Sequence, residues 1–197
     1  MQNQQKQKRN IKIVAMDPSM RNWGMATIIL DLDTFEFYVK DLDVIHSNKD
    51  PKKAKKKSSR DIMTVEELLD GIIPIVSDAD VIIAETPIGG RDSSAALSYS
   101  ICISIIAAIN VSFTKVFEVT PNEVKLNVVK NATKAQMIDW ATRLHPEAPW
   151  KYRTVKGEQV IITGFAEHVS DAIGALYAAS KKEAFFKLIK SIKETIK

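Results

Sequence analysis

The stretch IKIVAMDPSMRNWG, residues 11–24, decides how the rest of the chain is read. Ile11, Ile13, Val14 and Ala15 make a short, largely β-branched run closed by a Pro-Ser turn signal, which fits a strand inside a sheet better than a helix. Asp17 stands at the C-terminal end of that strand. A strand-ending Asp is more often a turn former or a helix cap than a catalyst, so its meaning depends on its neighbours. After Gly24, the segments MATIILDLD and TFEFYVKDLDVI predict two more strands in an antiparallel meander, which places Asp17 at the mouth of a sheet.

A helix follows the polar stretch SNKDPKKAKKKSSRD, because Ile62, Val65, Leu68, Leu69, Ile72 and Ile73 repeat at helical spacing. Ser58 or Ser59 is the expected cap, with Asp61, Glu66 and Glu67 near the N-terminal end where the helix dipole favours them. The helix is expected to end near Ser77. The run ADVIIAETPIGG then delivers a second acid, Glu85, directly before a Thr-Pro turn. Strand, helix, strand implies a right-handed crossover and a strand parallel to the first. Asp17 and Glu85 are therefore expected to emerge on the same edge of the sheet.

The later segments complete one α/β domain. IGGRDS leads into an apolar helix from about Ser93 to Asn110, expected to be buried; its serines, Asn110 and its length argue against a bilayer span. FTKVFEVTP reads as a strand, and PNEVKLNVVK and ATKAQMIDWATRLHP as two helical pieces opened by Pro or Thr signals. KYRTVKGEQVII predicts a hairpin about Lys156-Gly157, with Tyr152 and Arg153 on one arm. From Phe165 the chain returns to a helix, AEHVSDAIGALYAASKK, followed by an amphipathic basic tail. The expected organisation is a flexible basic N-terminus over residues 1–10, a folded α/β domain over 11–181, and a basic C-terminal helix or tail over 182–197.

With 197 residues, 45% of them hydrophobic, the chain is long enough for one ordinary α/β core and too short for two nucleotide-binding lobes. The single cysteine, Cys102, excludes a disulfide framework and a cysteine-based metal site, and reads as core. A polar N-terminus with no apolar segment behind it leads to the expectation of a cytoplasmic protein without a membrane partner. The net charge of +4 is unevenly spread: residues 49–60 hold seven Lys or Arg against Asp50, and both ends are basic, so the body is acidic. Solvated lysine loops are the ordinary explanation of any one such run. Together they suit a grip on a polyanion around an acidic centre.

That centre is completed by the last long helix, where His168 and Asp171 are three residues apart and share a face. Ala172, Gly174, Ala175 and Ala178 are small enough to let the helix lie close against a sheet. Three carboxylates and an imidazole then converge, a cluster that repels itself when empty and is stabilised by divalent cations. Two Mg²⁺ ions about 4 Å apart, for which Mn²⁺ would substitute, could activate water and stabilise the leaving oxygen of a phosphodiester. Taken singly, Glu85 as a turn cap, His168 as a satisfied helix histidine and Asp171 as a lysine partner are the commoner readings. Glu167 competes with His168 for the fourth position, but lies about 100° around the helix from its neighbour.

DPSMRNWG, IIAET, VTPNEVK with the following TKAQM, and EHVSDAIGAL resemble the successive motifs of the RuvC-type Holliday junction resolvases, a ribonuclease H-like family. The resemblance runs from about Ile11 to Ser180. It implies an α/β fold with a five-stranded mixed sheet, the first three strands antiparallel and the others parallel, flanked by helices. It implies that Asp17, Glu85, His168 and Asp171 are the catalytic, metal-binding set and that Lys125 and Lys134 contact the scissile region. It also implies a homodimer, formed through the helix near residues 93–110, that makes paired symmetric nicks in a four-way DNA junction. Arg91, Lys52, Lys53, Lys55, Lys56, Lys57 and Arg60 are the further DNA-binding candidates. Ser19 replaces the family's usual glycine, and Ile88 stands near where an aromatic wedge is common, which makes it the wedge candidate. The 146–164 segment and the lysine loop are longer than in cellular members, as expected of a divergent, phage-encoded one. The competing readings are a less selective nuclease on branched DNA or RNA-DNA hybrids, and a non-catalytic branched-DNA-binding protein. A sugar-kinase or actin-like ATPase would need a second phosphate loop, which the chain lacks.

Overall fold

The computed structural model describes residues 9–47, 56–89 and 92–196. Lys52, Lys53, Lys55 and Arg91 lie outside the described residues. The first three strands, β1 (Asn10–Asp17), β2 (Asn22–Asp31) and β3 (Phe37–His46), form the antiparallel meander. Helix α1 (Lys57–Val76) then crosses over to β4 (Val81–Glu85), and α2 (Ser93–Ser112) to β5 (Val116–Val119). The sheet order is β3-β2-β1-β4-β5, with β4 parallel to β1 and β5 parallel to β4. The short α3 (Pro121–Lys125), then α4 (Lys134–Leu144), the hairpin β6 (Tyr152–Val155) and β7 (Glu158–Ile161), α5 (Thr163–Ser180) and α6 (Glu183–Thr195) complete the chain.

Strand alternation sorts the core onto the two faces of the sheet. Ile11, Ile13, Ala15, Val81 and Ile83 pack on the face covered by α5, with α4 and α6 around it. Val14, Met16, Ile82 and Ala84 pack on the other, under α1 and α2. The same parity carries Asp17 and Glu85 to the α5 face, since each is two residues beyond a side chain that packs there. The order of apolar residues along two strands thus aims both carboxylates at one helix.

Five expectations need correction. Ser58 and Ser59 do not cap α1: the helix begins at Lys57, its N-cap Lys56 makes no side-chain cap bond, and both serines lie within the first turn. Glu66 and Glu67 are consequently in the third turn, beyond the reach of the dipole. The helix near 93–110 is not buried overall. Being apolar on every side, α2 can bury only one stripe, Cys102, Ile105, Ile106 and Ile109, and leaves Leu97, Ile103 and Val111 exposed. Nor do its length and serines argue against a bilayer span as expected: by length and composition alone it could cross a membrane. Finally, Gly174 does not face the sheet: a Cβ there would lie 2.7 Å from Val124 and 3.0 Å from Met137, on α3 and α4.

The capping signals of α3 and α4 were legible. Thr120 pairs with Glu123 and Thr133 with Gln136 in two complete capping boxes. The first orients α3 so that Lys125 follows at its end. The basic tail is a docked helix, with Phe185 and Ile189 of α6 buried in the main core.

Candidate active site

Asp17 closes β1 at the same edge where Glu85 closes β4. Helix α5 crosses this edge, and its second turn brings His168 to Asp17, with Nδ1 3.1 Å from Oδ2. Both side chains are mostly buried, each 17% exposed. The close approach depends on Gly24, which pairs with Asp17 across β1 and β2. A Cβ at Gly24 would stand 2.4 Å from the carbonyl oxygen of His168 and 2.8 Å from its Cβ. Only a residue without a side chain lets α5 settle there.

The carboxylates feel one another. Burial raises the Glu85 pKa to about 8, and the charges of Asp17 and Asp171 push in the same direction. Asp171 rises to about 7 through burial first and the charge of Asp17 second. The Lys125 ammonium pulls both back down. His168 is shifted upward by its bond to Asp17, against the opposing effect of burial. Asp17, Glu85, His168, Asp171 and Lys125 therefore form one electrostatically coupled group.

Lys134, at the start of α4, forms an ion pair with Glu167 and feels the charges of Asp171 and Asp17. The two competing residues on α5 thus have different partners: His168 turns to Asp17, and Glu167 to Lys134. Lys125 is held indirectly, because Asn127 just beyond it donates to the carbonyls of Val124 and Gly174 at 2.8 and 2.7 Å. Gly174 is small enough for α3 to come this close.

The remaining candidates are dispersed. Lys57 and Arg60 line a cleft of about 250 Å³ between the N-terminal ends of α1 and α2, together with Arg21 from the turn after Asp17. Lys56 precedes α1 and is exposed. Ile88 is 61% exposed on the loop after Glu85. Sequence reading missed Gly24, Arg21 and Asn127: the first two lie within DPSMRNWG but were given no role there, and Asn127 belongs to none of the motifs. It also gave Cys102 only a packing role, although its thiol is pushed up to about 11 by burial and then by the charge of Asp17.

The donor chemistry suits a divalent cation: three carboxylates offer hard oxygen ligands, and burial, followed by the charge of Asp17, makes two of them hold their protons near neutral pH. Among the described residues no three His, Cys, Asp or Glu side chains are already drawn together as a metal-binding group.

No protein-family model matches the chain, and no curated protein sequence does. Solved structures do. The RuvC of Thermus thermophilus, in complex with its Holliday junction substrate, superposes with a TM-score of 0.59 at 11% identity, over 91% of this chain and 96% of that one. The same enzyme in a second structure gives 0.59 at 12%, over 90% and 95%. A fowlpox virus resolvase bound to junction DNA gives a TM-score of 0.48 at 14% identity, covering 88% and 100%. With its sheet order, its strand directions and its superposition on the Thermus thermophilus RuvC, the chain has a RuvC-like, ribonuclease H-like fold.

Proposed function

We propose that this chain is a Holliday junction resolvase, a divalent-metal-dependent endonuclease that makes paired symmetric nicks in four-way DNA junctions. The observation that carries the reading is the approach of His168 on α5 to Asp17, at the strand edge that Glu85 shares, with Glu85 and Asp171 near enough to feel the Asp17 charge and Lys125 beside them. The RuvC-like fold supports it.

Asp17, Glu85 and Asp171 would hold Mg²⁺ through oxygen, with Mn²⁺ as a substitute and His168 as the nitrogen donor. Bound there, the ions would supply charge neutralisation at the phosphodiester and a more acidic water. The chain's own part is to position. Gly24 seats α5, and Asp17 holds the His168 ring. Lys125 faces the carboxylates and balances part of their charge, which leaves it suited to a scissile phosphate oxygen. Lys134 is held by Glu167 at the same rim and can exchange that partner for DNA. Lys56, Lys57 and Arg60 would grip the phosphates of a flanking arm without reading sequence, as would Lys52, Lys53, Lys55 and Arg91. Ile88, exposed just beyond Glu85, is the proposed wedge at the junction centre. The exposed apolar side of α2 is the proposed dimer contact, since two active sites are needed for two nicks.

Cleavage of a labelled four-way junction tests this, with Mg²⁺ and with chelator, by wild type and Asp17→Asn, beside duplex and RNA-DNA hybrid controls. Paired metal-dependent nicks that disappear in the variant are expected. Degradation of the hybrid with the junction left intact would assign a less selective nuclease instead. No cutting with either Mg²⁺ or Mn²⁺ would leave a branched-DNA-binding protein.

A further inference from the structure

The hairpin β6–β7 is exposed along almost its whole length: seven of its eight strand residues are open to solvent, and Ile161 is half-buried. Among the described residues it has no third strand, and a two-stranded ribbon is marginal by itself. Yet this one is built with care at both ends. At the tip, Lys156 and Gly157 take φ of 51° and 87°, the left-handed pair that a tight two-residue hairpin turn requires. At the root, Ile162 N–H donates to Lys151 C=O at 2.9 Å, and the Lys151 ammonium lies 4.3 Å from the centre of the Phe165 ring. Just before it, buried Trp150 donates to the carbonyl of His145 at 2.8 Å. The buried His145 ring is itself held between Glu147 and the Tyr177 hydroxyl.

A rigid root and an uncovered arm point to a partner. The ribbon springs from the active-site edge: it runs straight into α5, and His168 follows Thr163 by five residues, about 7.5 Å along the helix. Burial and then the charge of Asp41 raise the Asp43 pKa, with the nearby Lys151 ammonium pulling the other way, and Asp43 pairs with Met25, the neighbour of Gly24. Four residue pairs carry the arm about 13 Å outward. Its chemistry is basic and aromatic. Lys151, Arg153 and Lys156 stand against one acid, Glu158, and Tyr152 is 51% exposed. Alternation puts Tyr152, Thr154 and Gln159 on one face, and Arg153 on the other with Val155 and Val160.

We propose that the β6–β7 ribbon is a nucleic-acid-binding arm that engages the substrate DNA next to the scissile phosphate, with Arg153 and Lys156 on phosphates and the Tyr152 ring against a base or sugar. This rests on the nuclease reading above. The occupant is DNA because the arm's charge complements phosphate, and because its root opens the same helix that carries His168 in its second turn. A ribbon of this width also fits a major groove.

The test uses the full chain carrying Asp17→Asn, so that a bound junction is not cut. The triple variant Tyr152→Ala, Arg153→Ala, Lys156→Ala is compared with that parent for four-way junction binding across a salt series. Expected are an unchanged melting temperature, affinity at least about tenfold weaker, and a salt dependence shallower by about two phosphate contacts. A photoreactive phenylalanine in place of Tyr152 should crosslink to labelled DNA. Equal binding by parent and triple variant would overturn the arm while leaving the nuclease reading intact. Crosslinking to a second protein chain and not to DNA would likewise overturn it, in favour of a protein contact. A parent that binds no branched DNA would overturn both readings.

Discussion

Gly24 and His168 are in contact that leaves no room for a single methyl group: an added Cβ would meet the His168 carbonyl oxygen at 2.4 Å. The obstacle is backbone on a buried helix, so it cannot swing aside. Because Gly24 is the strand partner of Asp17, whatever displaces α5 at this point also parts His168 and Asp171 from the strand-end carboxylate. Gly24→Ala is expected to destabilise the fold by about 1–3 kcal/mol, as overpacking does, and to cut junction cleavage at least about a hundredfold. Gly164→Ala is the control, since a Cβ there meets nothing within 4 Å and lies in the first turn of the same helix. Its melting temperature should hold or rise slightly. Normal cleavage by Gly24→Ala would show that α5 need not rest on β2 at this height.

Without metal, the carboxylate set is a liability that grows with pH. Glu85 and Asp171 keep protons to about pH 8 and about pH 7 in the folded chain, whereas both release them near pH 4 when unfolded. The folded state therefore binds more protons through this window, and stability falls as pH rises. His168 works in the same direction, because its raised pKa adds stability that is lost as pH climbs through the folded value. In chelator, the melting temperature should drop by several degrees between pH 5.5 and pH 8.5. Glu85→Gln should flatten that slope and melt higher than wild type at pH 8.5, even as it abolishes cleavage. Added Mg²⁺ should rescue the wild type more at pH 8.5 than at pH 5.5. A Glu85→Gln chain that melts lower at pH 8.5 would contradict the proposed repulsion.

The fold was legible because each strand carries its own register. β-branched runs, turn residues and the amphipathic spacing of α1 are local signals, and they suffice for the antiparallel meander, for the parallel crossover and for bringing Asp17 and Glu85 to one edge, whereas the five-stranded mixed sheet followed from the family resemblance. The i, i+3 spacing of His168 and Asp171 was legible for the same reason. The packing contacts that seat the helix were not. Nothing around Gly24 says that a helix more than 140 residues later will rest on it, and the partner of Gly174 is α3 and α4, not the sheet its alanine neighbours suggest. The burial of α2 was overread because an apolar composition on all sides carries no direction.

His168 and Glu167 are adjacent in sequence and divided in partnership. His168→Ala removes the group bonded to Asp17, whereas Glu167→Ala frees Lys134 from an ion pair at a rim where Lys134 is still 71% exposed. Cleavage under single-turnover conditions should fall at least about a hundredfold for His168→Ala and less than about tenfold for Glu167→Ala. Lys134→Ala should weaken cleavage more than Glu167→Ala does, since it removes the cation itself. Equal losses for His168→Ala and Glu167→Ala would mean that α5 is rotated from the placement described.

The exposed side of α2 is expected to be covered by the same side of a second copy. Leu97, Ile103 and Val111 are 40%, 44% and 85% exposed, and the serines between them point hydroxyls back to helix carbonyls, as Ser100 does to Ala96 and Ser104 to Ser100. Their hydrogen-bonding capacity is partly spent within the helix, so the face is more apolar than its composition suggests. Two such helices packed together would bring the paired sites of a two-nick enzyme into one particle. Sedimentation of the wild type at micromolar concentration should give a dimer, and Leu97→Glu with Ile103→Glu a folded monomer. That monomer should still bind one junction arm but should lose coordinated second-strand nicking on a supercoiled cruciform. A wild type that stays monomeric at tens of micromolar, with and without junction DNA, would end the dimer proposal and leave α2 free for another partner.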